Sequence, residues 1–144
     1  MAEDTFDEAV EQIRTRDTRY ARDAYVFVRE ALDHTQRAVG KTGRPDGRIT
    51  HVTGQQLLTG IRDYALSLFG PMTLTVFDEW GIHECGDFGE IVFNMIDSGI
   101  LAKTEKDSRA DFQEGYPFDE AFRQPFLPAS KRAPSGPPAS PTNN

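Results

Sequence analysis

The sequence predicts a mainly α-helical chain built as a winged helix, meaning a helix-turn-helix followed by a small β-hairpin, with an N-terminal helical pair packed on it. Three observations carry this. Apolar residues recur at helical spacing from Phe6 to Ile96; Gly-containing joints near residues 70 and 81 set three helices close together; and residues 100–116 switch to a strand-like alternation around a polar turn. A chain of 144 residues fits one domain with one core. The expected division is N-terminal helices over 1–40, a connector over 41–51, the winged-helix unit over 52–122 and a disordered Pro-rich tail over 123–144.

In chain order, Phe6, Ala9, Val10 and Ile13 follow the i, i+3, i+4, i+7 pattern of a short amphipathic helix whose first residues are acidic. After the polar run RTRDTR, residues 20–39 place Tyr20, Ala24, Phe27, Val28, Ala31, Leu32 and Val39 on one broad arc, with Arg29, Asp33 and Arg37 stacked opposite. An arc that wide needs a substantial cover, from the same chain or from a second copy in a homodimer. GKTGRPDGRIT at 40–50 reads as the connector through its glycines and Pro-Asp-Gly turn signal.

The next helix starts on a T-x-x-Q capping box, Thr53 with Gln56, and a hydrophobic staple of Val52 with Leu57. Leu57, Leu58, Ile61, Ala65 and Leu68 form its core face, and Gly70 and Pro71 end it. Leu74, Phe77 and Trp80 supply the stripe of a second, shorter helix that closes on Gly81, with Ile82 folding back on Phe77. A third helix opens on Asp87, with Glu90 three positions on, and closes on Gly99. ILAKTE and FQEGY then read as the strands of the wing, and PFDEAF at 117–122 as one helical turn. The tail holds six of the nine prolines and no acid, so it reads as disordered, an idle solvating end or a weak peptide ligand.

The blocks RYARDAYVFVREAL, VTGQQLLTGIRDYALSLFGPMTLTVFDEWGI, DFGEIVFNMIDSGIL and DFQEGYPFDEAF resemble an uncharacterised family of small bacterial proteins restricted to planctomycetes and verrucomicrobia. The resemblance spans roughly residues 6–122. It implies a bacterial source and carries no activity, so function has to be argued from the residues.

Charge excludes more than it assigns. The net charge of -7 is concentrated in residues 53–122, which hold four basic against thirteen acidic side chains; residues 1–50 hold nine against ten, and 123–144 hold three and none. A field of that sign repels nucleic acid and anionic lipid and favours a basic partner. No apolar run approaches the roughly 18–20 residues needed to span a bilayer. The acidic opening MAEDTFDEAV is unlike a secretory signal, and the single Cys85 suits a reducing compartment, so a cytoplasmic address is expected.

The third helix is the candidate site. At 100° per residue, Phe88, Ile91, Val92, Met95 and Ile96 form its core side, and Asp87, Glu90, Asn94 and Asp97 the opposite face, with Phe93 beside them. A DNA-reading helix offers Arg, Lys, Asn or Gln to base edges, with cations for phosphates. Each carboxylate facing a phosphate at a few ångströms instead costs on the order of 1 kcal/mol even at high dielectric. These five residues therefore point to a protein partner, against the plainer alternative that Phe93 is covered from within the chain and the acids are solvated.

The one basic concentration, Arg14, Arg16, Arg19 and Arg22, either contacts nucleic acid or pairs with the acidic middle of the same chain. The second reading has the nearer counter-charge. His83 and Cys85 lack the further ligands zinc requires, with His34 and His51 elsewhere. DFG at 87–89 has no kinase context, GKT at 40–42 no P-loop spacing, and Ser67, Ser98 and Ser108 no G-x-S-x-G setting. The expectation is a non-enzymatic, cofactor-free interaction module, an adaptor or regulatory subunit. A DNA-binding transcriptional regulator using the wing and the N-terminal arginines is the alternative, and a small enzyme requires converging carboxylates or His51 in a pocket.

Overall fold

The computed structural model describes residues 2–43, 52–101, 110–113 and 115–128. Five helices carry the architecture: α1 (Ala2–Arg16), α2 (Arg22–Gly43), α3 (Gly54–Phe69), α4 (Thr73–Trp80) and α5 (Cys85–Asp97). A 3-10 turn, Gly70–Met72, joins α3 to α4; a short α6 (Ala110–Gln113), a π-helical turn (Asp119–Arg123) and a 3-10 turn (Gln124–Phe126) follow.

The caps act where the sequence places them. Thr53 Oγ1 accepts the Gln56 amide at 3.1 Å, and Gln56 Oε1 accepts the Thr53 amide at 3.0 Å, a closed capping box. Gly81 sits at φ 84°, and the amide of Ile82 returns 2.8 Å to the Phe77 carbonyl, the Schellman ending that turns the chain out of α4. Gly99, at φ 81°, closes α5 the same way through Ile100 and Met95. The connector expectation shifts by three residues, because α2 continues to Gly43; residues 44–51, with His51, lie outside the described residues.

The winged-helix expectation is overturned. Among the described residues there is no strand, and FQEGY does not form one. Its first half is α6, and Phe112 is buried over Gly89, where a Cβ on that glycine would come within 2.8 Å of the Phe112 side chain. Gly115 and Tyr116 carry no regular structure and lie against α5 and α3. The Tyr116 amide and carbonyl both meet Cys85 Sγ at 3.4 Å, and the Tyr116 hydroxyl donates to the Leu58 carbonyl at 2.7 Å. The Tyr116 backbone is spent on Cys85 of α5, and its side chain on α3, rather than on a hairpin partner. Ile100 returns its amide to Met95 in the turn that closes α5, and residues 102–109, the rest of the wing as read from sequence, lie outside the described residues, as does the tail from 129.

The core is an aromatic cluster centred on Phe77, which has no exposed surface. Its ring lies 5.6 Å from Phe27, 5.4 Å from Phe88 and 5.2 Å from Phe122, mostly edge-to-face. The wide arc of α2 is therefore covered from within the chain, by α3, α4 and α5. Between α2 and α3 the approach is close enough that a Cβ on Gly60 would overlap Thr35 Oγ1. Among the described residues, no helix is long and apolar enough to cross a membrane.

Candidate functional site

The segment between α1 and α2, residues 17–21, lies against the polar face of α5 and determines what that face can do. Asp17 begins it, and its carboxylate takes both the Nε and Nη2 of Arg19, at 2.9 and 2.7 Å. Arg19 Nη2 reaches on to Glu90 at 3.1 Å. Asn94 donates to Asp17 at 3.0 Å and to the Tyr25 hydroxyl at 3.1 Å. The Tyr20 hydroxyl donates to Asp87 Oδ1 at 2.6 Å, and the other oxygen of Asp87 accepts the amides of His83 and Glu84 at 2.8 and 3.2 Å.

Asp87 thus has a structural task. α5 opens three residues earlier than the sequence suggests, with Glu84 at the N-cap and Asp87 at N3, where its carboxylate satisfies two amides at the positive end of the helix. The electrostatics follow from these contacts. The Arg19 guanidinium bonded to Asp17 holds that carboxyl well below the usual range against the opposing pull of burial, with Asn94 adding to the effect. Tyr20 is pushed up by burial and then by its bond to the Asp87 carboxylate.

Of the five residues predicted as a partner face, three are therefore engaged by the chain's own N-terminal segment: Asp87, Glu90 and Asn94. Phe93 is buried and packs edge-on against Phe112 at 6.5 Å. Asp97 alone stands exposed. The basic cluster divides in the same sense. Arg19 pairs as above, Arg22 with Asp7 at 2.7 Å, and Arg16 bonds Ser98 at 3.2 Å, while Arg14 approaches Glu11 at 4.0 Å.

No family model, curated protein or solved structure matches this chain.

A second surface was not legible in the periodicity. Leu68, read as part of the α3 core face, is 51% exposed, as are Met72 (55%) and Phe126 (45%). Leu68 borders a cleft of about 210 Å³ whose floor is Val26, Phe27, Phe69 and Trp80 and whose charged lining is Asp23 and Glu30. Val26 and Glu30 also line an adjoining groove of about 740 Å³ between α1, α2 and α3. Along that groove Asp33 pairs with Arg37 at 2.8 Å, Asp7 pairs with Arg22 at 2.7 Å, and the Arg29 guanidinium lies 4.5 Å over the Phe6 ring. Glu30 accepts the Tyr64 hydroxyl at 3.3 Å. Periodicity predicts which residues share a helix face, but whether the last turn of that face is covered depends on where its neighbours end.

Among the described residues, no three His, Cys, Asp or Glu side chains come together as a metal-holding group. His83 faces Asp78 at 3.5 Å, and burial raises the Cys85 thiol above its ordinary value.

Proposed function

We propose that this chain is a non-enzymatic protein-interaction module, an adaptor or regulatory subunit, that binds a protein partner through an acidic helical surface. The supporting observation is apolar. Leu68 leaves about half its surface in water beside the half-buried Val26, Phe69 and Trp80, and Met72, in the 3-10 turn that follows α3, is as exposed. A contiguous apolar patch with a charged rim marks an interaction site, whereas scattered single residues do not. On the α5 face Asp97 is exposed, and the other acids are held by Tyr20 and Arg19. The DNA-binding alternative gains nothing from the geometry, since Arg16, Arg19 and Arg22 already have internal partners.

A photo-crosslinking residue placed at Met72, and separately at Asp97, in the full chain inside cells tests the reading. The expected outcome is a discrete crosslinked protein from Met72 that also binds the purified chain in a titration. Crosslinks from neither position, or turnover of a small molecule by the purified chain, would contradict it.

A further inference from the structure

The cleft between α2 and the end of α3 combines three features. Its volume of about 210 Å³ lies below the roughly 300–1,000 Å³ of small-molecule sites, so it suits one side chain rather than a metabolite. Its floor is a fixed aromatic platform: Phe27 lies 5.8 Å from Phe69 and 5.5 Å from Trp80, and Phe69 meets Trp80 edge-on at 5.7 Å. Its charged lining is entirely acidic. Among the described residues Asp23 meets a cation only at 4.0 Å, in Arg22, and Glu30 has only the Tyr64 hydroxyl. Two carboxylates with little internal neutralisation therefore flank the half-covered rings of Phe69 and Trp80.

We infer that this cleft docks a basic, apolar-anchored segment of another protein: one Leu, Met or Phe side chain seated over Phe69 and Trp80 beside Leu68, flanked by Lys or Arg reaching Asp23 and Glu30. The inference names the surface and partner chemistry of the module proposed above and rests on that reading. The aromatic faces favour cations as well as apolar groups, so the flanking Lys or Arg gains from the rings and the carboxylates together. Rim pairs of this kind contribute selectivity and association rate more than raw affinity, and the anchor in the cleft supplies most of the binding energy. Nucleic acid and anionic lipid are repelled by the same two carboxylates.

The test selects displayed peptides of about 15 residues on the full chain and titrates the enriched, Trp-free ones while following Trp80, the chain's single tryptophan. Enriched sequences should carry a large apolar residue within three or four positions of Lys or Arg and shift Trp80 emission saturably. The double variant Asp23→Lys, Glu30→Lys and the single variant Leu68→Lys, all at exposed positions, should each weaken binding by about tenfold or more with the circular dichroism spectrum unchanged and melting still cooperative, lowered in the double variant by the lost Tyr64 bond and first-turn acid of α2. Peptides that bind these variants as well as they bind the parent, with Trp80 silent, would overturn the cleft while leaving an interaction module standing; no enrichment at all would overturn both. Two other occupants are read in the same experiment. A Trp80 shift on Lys131→Glu, Arg132→Glu without peptide would assign the cleft to the chain's own tail, and a dimer dissolved by Leu68→Lys would assign it to a second copy. Either result would also overturn the proposal.

Discussion

Asp17 and Tyr20 show how single side chains decide the fate of a whole helix face. Asp17 is largely covered, with its side chain 15% exposed, and accepts four charge-assisted or amide bonds, so Asp17→Asn should cost about 1–2 kcal/mol at neutral pH. Because its folded pKa lies below its unfolded value, this stability is fully present above about pH 4 and drains away as pH falls below it. Parent and Asp17→Asn should therefore differ by a constant amount in urea unfolding from pH 5 to 7 and converge below pH 4. Tyr20 has the opposite sign. Its pKa is raised, so its contribution holds below pH 10 and is lost as pH rises beyond it; Tyr20→Phe should cost about 1.5–3 kcal/mol at pH 7, and that difference should shrink in alkali. The Arg19–Glu90 pair matters less. Arg19 is 54% exposed, and Arg19→Met should change the Glu90 contribution by about 1 kcal/mol or less.

At the scale of elements, what the sequence reveals depends on how local the cause is. The Thr53–Gln56 box and the Gly81 ending are contacts between residues within five positions, and both were readable from the residue types alone. Thr53→Ala should cost about 1 kcal/mol of stability, read as a lower melting midpoint. Gly81→Ala should cost at least about 1–2 kcal/mol, since an L-residue must adopt positive φ there while its Cβ runs into the Arg19 carbonyl. The wing was misread because a short apolar alternation cannot by itself separate strand from helix. The deciding partners of Phe112 and Tyr116 are Gly89, Phe93, Cys85 and Leu58, all more than 15 residues away. The N-cap of α5 was misplaced for a related reason: an acid at N3 that reaches back to amides looks, in sequence, like an acid at the cap.

Across the whole molecule, the aromatic core and the acidic surface act as separate systems. Phe77→Ala should cost about 3–5 kcal/mol, because the rings around it come from α2, α5 and the C-terminal π-helical turn and cannot all collapse into one void. The overall helical character and most core residues were legible in the spacing of apolar side chains. The internal engagement of the α5 acids was not, because Arg19 and Tyr20 reach them from a turn some 70 residues distant, nor was the exposure of Leu68 at the end of α3. On the proposed reading, partners meet the α2–α3 surface rather than the α5 face. Hydrogen exchange on the full chain, free and bound to the protein captured by crosslinking, tests it most directly. Slowed exchange in residues 22–34 and 64–72 with α5 unchanged is the predicted result; slowed exchange confined to residues 87–97 would contradict it.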